Sequence, residues 1–222
     1  MKKPLIILTG PTAVGKTKLS ISLAKAVNGA IISADSMQVY RHMDIGSAKI
    51  RPEEMCGVPH YLIDVLDPSE EFHVVKFVEL AHEALEKIYA AGQIPIVTGG
   101  TGFYIQALLK EVDFTESHGE LPIRKQLEEK AATEEGAAEL YRELSEVDPA
   151  SAETIHPNNV KRVIRALEYY HETGQKISEH NEEQKQKESP YCSAYFVLND
   201  ERSILYDRID RRVDQMIRDG LV

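Results

Sequence analysis

Over the first 114 residues, short apolar runs alternate with stretches in which apolar residues recur at helical spacing. The runs are rich in β-branched residues and end at turn-forming residues, as buried parallel strands do. They predict four strands: Leu5–Thr9, Ala30–Ser33, Tyr61–Val65 and Ile94–Thr98. Helices are predicted from Lys16 to Val27 and along an apolar stripe that includes Phe77 and Ile88 and ends at Gly92. This alternation predicts an α/β fold, a parallel sheet with helices on both faces.

The pattern changes from Thr115 onward. Residues 115–190 are rich in Glu, Lys, Gln and Ala, contain no convincing strand pattern and predict only helices. These helices are predicted over Ile123–Ala132, Gly136–Val147 and Asn158–His171. The polar segment Asn181–Pro190 (NEEQKQKESP) is predicted to be a mobile connection.

After this segment the strand pattern returns over Ala194–Leu198, and a last helix is predicted to begin near Ser203. The sequence therefore predicts two domains. An α/β core comprises residues 1–114 and 191–222, and an all-helical insertion comprises residues 115–190.

Composition narrows the classes of function. A net charge of −10 argues against a protein that coats nucleic acid non-specifically, although it leaves room for a local basic surface. No apolar run approaches the roughly 20 residues of a membrane span. The run after the initial Met-Lys-Lys-Pro is too short for a signal peptide, so a buried first strand is expected there. Cys56 and Cys192 show no metal-like or redox-like spacing and are expected to be reduced thiols of a cytosolic protein.

A phosphate-binding loop follows the first predicted strand. It fits the pattern G-x-x-x-x-G-K-[ST] between a strand and a helix, the context that this motif requires. Its members are Gly10, Pro11, Thr12, Ala13, Val14, Gly15, Lys16 and Thr17. The glycines let backbone N–H groups face an anion at a helix N-terminus, Lys16 offers a mobile positive charge, and the Thr17 hydroxyl suits a phosphate-bound Mg²⁺. The loop alone does not distinguish a nucleoside triphosphate such as ATP from another diphosphate ester.

Two further strand ends open on the same edge of the predicted sheet. Asp35 directly follows the second strand, at the carboxyl edge where open parallel sheets bind ligands. It is a candidate metal ligand or general base, and an Asx-turn or helix N-cap is an equal alternative. The glycine-rich turn Thr98–Gly102 follows the fourth strand, and in it Thr101 offers a hydroxyl.

Five segments, taken together, carry a resemblance to a known family. They are GPTAVGKT (10–17), ADSMQVYRHMDIGSAK (34–49), PHYLIDVLDP (59–68), GGTGFYIQALL (99–109) and HPNNVKRVIRALE (156–168). In this order, and over nearly the whole chain, they resemble the tRNA dimethylallyltransferases, also called isopentenyltransferases. Chains of that family continue well past the segment that ends this sequence, DQMIRDGLV, so a C-terminal part is expected to be missing.

The resemblance implies transfer of a dimethylallyl group from dimethylallyl diphosphate to N6 of the adenosine immediately 3′ of a tRNA anticodon. It implies a P-loop NTPase-like fold, the anticodon stem-loop of tRNA as partner, and Mg²⁺ as the counter-ion of the diphosphate. A cytoplasmic monomer is expected.

The resemblance also implies roles for individual residues. Asp35 is expected to be the general base on the adenine amine, and Lys16 and Thr17 are expected to hold the diphosphate, Thr17 together with Mg²⁺. The residues expected to contact the target nucleotide are Asp35, Ser36, Met37 and Gln38. The residues expected to contact tRNA elsewhere are Thr101, Lys161, Arg162, Val163, Ile164 and Arg165.

Basic side chains on two predicted helices support these roles. Lys161 and Arg165 lie one helical turn apart with Arg162 beside them, although ordinary solvated charge is the alternative explanation. On the last helix, Arg212 lies at the edge of an apolar stripe, where a guanidinium is well placed to clamp a diphosphate. Arg208 is the second candidate, and both arginines have neighbouring aspartates with which they could simply pair.

Two other functions remain open from the residues alone. A small-molecule kinase of the same fold would use Asp35 to activate a substrate hydroxyl and the helical insertion as a lid. A tRNA- or nucleotide-binding module without catalysis is the other.

Overall fold

Five parallel strands form one sheet within the described residues, which are 2–112 and 122–222 of the computed structural model. The strands are β1 (Lys3–Thr9), β2 (Gly29–Ser33), β3 (His60–Tyr61), β4 (Ile94–Gly99) and β5 (Tyr191–Val197). They pair in the order β3-β2-β4-β1-β5, and every pair is parallel. The predicted parallel sheet is confirmed, with the first strand buried inside it.

Helices cover both faces of this sheet. The helices of this part of the chain are α1 (Lys16–Val27), α2 (Val74–Ala90), α3 (Gly102–Lys110) and, after β5, α9 (Arg202–Arg218). Helices α2 and α3 pack over a core that includes Ile7, Ile32 and Val97, whereas α1 packs with Ile31 and Ile96. Because side chains alternate along a strand, neighbours such as Ile31 and Ile32 reach opposite faces. This two-sided burial explains why the strands read as continuous apolar runs.

Three local predictions for this part of the chain differ from the structure. Strand β5 begins at Tyr191, three residues before the predicted start at Ala194. The third strand, predicted over Tyr61–Val65, ends at Tyr61 because Leu62 and Asp64 have positive φ angles of 62° and 56°, which extended strands exclude. Helix α3 was not among the predicted helices, although Tyr104, Ile105 and Leu108 form its buried side. The apolar spacing of these three residues was the available signal.

The residues between these segments form a separate helical unit. The chain divides into two compact units. Met1–Val112 with Ser189–Val222 is here called the α/β unit, and Asp113–Glu188 is here called the helical unit. The helices of the latter are α4 (Pro122–Lys130), α5 (Glu134–Val147), α6 (Pro149–Thr154), α7 (Val160–Thr173) and α8 (Ile177–Gln186). Their core includes Leu140, Leu144 and Leu167.

The prediction of a mobile connection over Asn181–Pro190 is wrong for its first six residues, which lie in α8. The helix has almost no apolar stripe, so its sequence pattern gave little signal. Ile177 packs against the apolar core of the unit, and polar contacts hold the rest of the helix. Ser178 donates hydrogen bonds to Asp148 from its amide and from its hydroxyl, over 3.0 and 2.6 Å, and Gln184 is buried.

Within the described ranges, no helix combines the length and apolar character that crossing a membrane requires. Cys56 and Cys192 are both exposed, and neither forms a disulfide.

Candidate functional site

The phosphate-binding loop lies between β1 and α1, as predicted, and its glycines are required by its backbone. Gly10 has a φ of 149°, and a Cβ atom there would collide with the carbonyl oxygen of Leu198. Gly15, which precedes α1, has a φ of 97°. Residues with a side chain rarely adopt either of these positive φ angles. The loop therefore turns sharply into the N-terminus of α1, where backbone N–H groups and the helix dipole favour an anion.

Lys16 lies back across this loop. Its Nζ donates hydrogen bonds to the carbonyl oxygens of Gly10 and Pro11 over 2.8 and 2.7 Å. Burial lowers the pKa of Lys16, and the guanidinium of Arg212 lowers it further. The carboxylate of Asp35 raises this pKa, but the net shift is downward. The charges of Asp35 and Arg212 thus both act on Lys16, although the three residues come from distant segments of the chain.

Asp35 follows β2 and is held in an Asx-turn. Its Oδ1 accepts hydrogen bonds from the amides of Met37, over 2.9 Å, and Gln38, over 3.2 Å. The turn proposed as the alternative role of Asp35 is therefore present. A general base needs only one oxygen for the proton, so Oδ1 can fix the loop while Oδ2 serves as the proton acceptor.

The end of β4 lies directly beside Asp35. The amide of Ala34 donates to the carbonyl oxygen of Thr98 over 2.8 Å, and the amide of Thr101 donates to the carbonyl oxygen of Ala34 over 3.3 Å. A Cβ atom on Gly99 would collide with that same Ala34 carbonyl, so this close approach requires glycine. The structure therefore brings Thr101 next to the Asp35 turn, as the shared sheet edge predicts.

The residues after Asp35 differ in exposure. Ser36 is half-buried, whereas the side chain of Met37 is exposed. The Nε2 atom of Gln38 donates to the carbonyl oxygens of Ser47 and Ala48, both over 3.3 Å. These two bonds hold the side-chain amide of Gln38 in one orientation, as a group that recognises a base requires.

Lys49 organises this segment, and sequence reasoning did not single it out. The lysine is buried, and its Nζ donates to the Tyr40 carbonyl oxygen and to Asp44 Oδ1, each over 2.6 Å, and to Asp64 Oδ1 over 2.5 Å. Burial lowers the pKa of Lys49, but hydrogen bonds and charge from Asp44 and Asp64 outweigh it and raise the pKa overall. The segment 34–49 carried the family resemblance, yet only the three-dimensional contact with Asp64 reveals what Lys49 does.

Arg212 reaches the same segment from α9. Its Nη2 donates to the Ser47 carbonyl oxygen over 3.4 Å, and the side chain is half-buried. Arg208 instead pairs with Asp200 over 2.9 Å, and not with Asp207, Asp210 or Asp214, the neighbouring aspartates expected for it. A cavity of about 700 Å³ opens beside Arg212, between α9 and residues 44–54, and its lining does not include Lys16 or Asp35.

In the helical unit, the predicted tRNA-contacting stretch of α7 divides into two sides. Lys161 and Arg162 are exposed and Arg165 is half-buried, as a binding surface requires. Val163 and Ile164 are only 2% and 5% exposed and belong to the core of the unit. Helical periodicity turns these two side chains inward, so contact with tRNA at these positions would have to involve the main chain. That contact stays a prediction.

Among the described residues, no group of three or more His, Cys, Asp or Glu side chains is arranged to hold an ion. The Thr17 side chain is exposed in the first turn of α1, beside Lys16. A hydroxyl in that position fits a Mg²⁺ ion that takes most of its ligands from phosphate oxygens and water.

The sheet, the loop and the gathered charges define a P-loop protein of the α/β class with a helical insertion between its fourth and fifth strands. The chain belongs to the IPP transferase family, whose model matches residues 38–222.

Named relatives agree with this assignment. The chain is 65% identical over 220 residues to a tRNA dimethylallyltransferase of Lachnoclostridium phytofermentans, covering 99% of this chain and 70% of the relative. It resembles the crystal structure of the full-length tRNA isopentenylpyrophosphate transferase of Bacillus halodurans, with a TM-score of 0.67, 47% identity, and coverage of 100% of this chain and 68% of that one.

It also resembles a eukaryotic dimethylallyltransferase whose crystal structures capture it acting on tRNA. The TM-score is 0.85 at 39% identity, and the match covers 98% of this chain but 54% of the eukaryotic one. The chain thus spans about half the length of that protein. Family membership confirms the resemblance drawn from the five motifs and favours the transferase over the kinase.

Proposed function

We propose that the chain transfers a dimethylallyl group from dimethylallyl diphosphate to N6 of the adenosine 3′-adjacent to the anticodon of tRNA. The observation that carries the proposal is that the phosphate-binding loop and the Asp35 turn leave the same edge of one parallel sheet, in a chain of the IPP transferase family. The charges of Asp35 and Arg212 both act on Lys16. Predictions of a cytoplasmic location and of a monomer stay predictions.

The reaction breaks the bond between the allylic carbon and the diphosphate oxygen and forms a bond from that carbon to N6. The electron pair leaves with the diphosphate, and N6 loses one proton. The allylic carbon develops positive charge as the diphosphate departs, so the main task of the site is to stabilise departing negative charge. The loop amides, Lys16 and Arg212 supply this stabilisation, and Asp35 accepts the proton.

Mg²⁺ fits the same site through the Thr17 hydroxyl. When bound, the ion neutralises part of the diphosphate charge. The Thr17 hydroxyl would supply one neutral oxygen to the ion, and phosphate and water would supply its other ligands, as is usual for Mg²⁺ on a phosphate substrate.

The target adenine must leave the anticodon stack to reach Asp35. The fixed amide of Gln38, the exposed side chain of Met37, and Ser36 surround the Asx-turn and are proposed to hold the flipped base, with Thr101 contacting tRNA beside them. In the helical unit, Lys161, Arg162 and Arg165 are proposed to bind the RNA backbone.

The test is a transfer assay with Mg²⁺, labelled dimethylallyl diphosphate and an unmodified anticodon stem-loop. We expect the label on the target adenine, and none when that adenine is replaced by guanine, which lacks an N6 amine. The proposal fails if the label never reaches RNA while ATP is consumed and a small molecule is phosphorylated. RNA binding without any turnover would assign the chain to the binding modules instead.

A further inference from the structure

A carboxylate is completely buried in the helical unit. Glu168 on α7 has 0% exposure, and burial of a charge is costly unless it is paired. Its Oε2 accepts hydrogen bonds from Nη1 of Arg165, over 3.1 Å, and Nη1 of Arg124, over 3.5 Å. Its Oε1 is buried and has no hydrogen-bond partner among the described residues. The charge of Glu168 is therefore compensated through a single oxygen by two arginines.

These arginines belong to different helices and reach the surface. Arg124 lies on α4 and Arg165 on α7, and their side chains are 39% and 35% exposed. Because both Nη1 atoms bond to one oxygen, at 3.1 and 3.5 Å, they are at most 6.6 Å apart. A rigid buried anion thus fixes the separation of two half-exposed guanidiniums.

The pair extends a basic surface. Arg165 lies one helical turn after Lys161, which is exposed beside Arg162. Arg124 adds a cation from α4. Arg124 also donates a hydrogen bond from Nε to Oε1 of Glu128, over 3.1 Å. Glu128 is 54% exposed, and such a surface pair contributes little, so a phosphate can displace it.

We propose that Arg124 and Arg165 together bind one phosphate group of the RNA backbone and that Glu168 positions both guanidiniums for it. Guanidinium forks match phosphate geometry, and two of them held in advance lose little side-chain freedom when the phosphate binds. In this proposal Arg124 contacts the RNA directly, whereas Glu168 acts on the RNA only by positioning the two arginines. The inference rests on the proposed function, because that function supplies the RNA.

Glu168→Gln separates positioning from simple electrostatics. The substitution removes a negative charge, so charge alone predicts equal or tighter RNA binding. Positioning predicts the reverse, a dissociation constant for the anticodon stem-loop that rises about fivefold as the guanidiniums lose their anchor. Binding would be measured by fluorescence anisotropy over a range of NaCl concentrations, with circular dichroism to verify that the helices persist. A folded variant that binds as tightly as the unaltered chain, or more tightly, overturns the role of Glu168.

Arg124→Gln and Lys125→Gln form a matched pair that does not depend on the Glu168 variant folding. Both residues lie on α4, both pair with a glutamate four positions later, and both substitutions remove one positive charge. Only Arg124 also contacts Glu168. We expect Arg124→Gln to weaken binding about tenfold and to reduce the slope of log K against log salt by about 0.7 to 0.9, whereas Lys125→Gln leaves the slope nearly unchanged.

Equal effects of the two substitutions overturn the phosphate site but leave the proposed function intact. If the chain does not bind the stem-loop at all, both the phosphate site and the proposed function are overturned. The transfer assay and the binding assay therefore report separately on the two ideas.

Discussion

Nη2 of Arg212 donates a hydrogen bond to the carbonyl oxygen of Ser47 over 3.4 Å, across 165 positions of the sequence. The same carbonyl oxygen accepts a hydrogen bond from Nε2 of Gln38 over 3.3 Å. One backbone atom thus ties the last helix to the turn that carries Asp35. This shared acceptor orients two groups: the Arg212 guanidinium, which is proposed to hold the diphosphate, and the Gln38 side-chain amide, which is proposed to hold the base.

Replacement of Arg212 by Gln is therefore expected to slow transfer strongly. Loss of one preorganised donor to a developing anion typically reduces the chemical rate by about 100-fold or more. Single-turnover transfer at saturating diphosphate and RNA measures this step. Arg211→Gln is the matched control, because it removes the same charge from the adjacent, exposed position of α9. Equal rates for the two variants would remove Arg212 from the proposed site.

Asp35→Asn is the second expected loss of transfer. Asparagine keeps an oxygen that can accept the amide hydrogen bonds of Met37 and Gln38, so the Asx-turn persists while the proton acceptor is lost. Removal of a general base slows the chemical step by about 100-fold or more. We expect this loss in the transfer rate together with a less than threefold change in RNA affinity.

The opposite pattern would change the role of Asp35. A variant that transfers at an undiminished rate but binds RNA poorly would mean that the Asx-turn is the whole function of this residue. Asp35→Ala, which loses both the turn and the base, is the reference for complete loss.

Sequence patterns were sufficient where a local signal existed. The phosphate loop, Asp35 and Thr101 were predicted at one sheet edge because each directly follows a strand of a parallel sheet, and the structure gathers them there. Arg212 was predicted from its place at the edge of an apolar stripe, and its charge lowers the pKa of Lys16. The functional roles of these residues stay predictions.

Sequence patterns failed where long-range polar contacts decide the structure. Nothing local to Asp64 indicates that it pairs with Lys49, and that contact accompanies the left-handed backbone that ends the third strand early. Helix α8 was missed because Ile177 is its single apolar residue, and because Ser178 binds Asp148, which lies thirty residues earlier in the chain. Val163 and Ile164 were included with their basic neighbours although helical periodicity alone could have placed them in the core.

Lys49→Met tests how far the segment after Asp35 depends on its buried cation. The substitution keeps the aliphatic volume but leaves Asp44, Asp64 and the Tyr40 carbonyl oxygen without their shared donor. Both carboxylates are more than half exposed and regain water, so we expect the free energy of unfolding to fall by about 1–3 kcal/mol. Urea denaturation measures it, with exposed Lys25→Met as the control. If both variants are equally stable, the three contacts of Lys49 add nothing measurable to the fold.

Acid should weaken the helical unit through Asp148, which is buried between α6 and α8. Burial raises the pKa of Asp148, but hydrogen bonds from Ser151 and Ser178 outweigh it and hold the pKa below its ordinary value of 3.8. A lowered folded-state pKa means that the carboxylate stabilises the fold above pH 3.8, and that this contribution disappears as the pH falls through the folded-state pKa. Asp148→Asn is therefore expected to cost about 1–2 kcal/mol of unfolding free energy at pH 6 and progressively less below pH 4.

Hydrogen exchange of the α6 and α8 amides, followed in both proteins from pH 6 to pH 3, measures this difference. A gap between the two proteins that stays constant with pH would show that ionisation of Asp148 does not hold the two helices together.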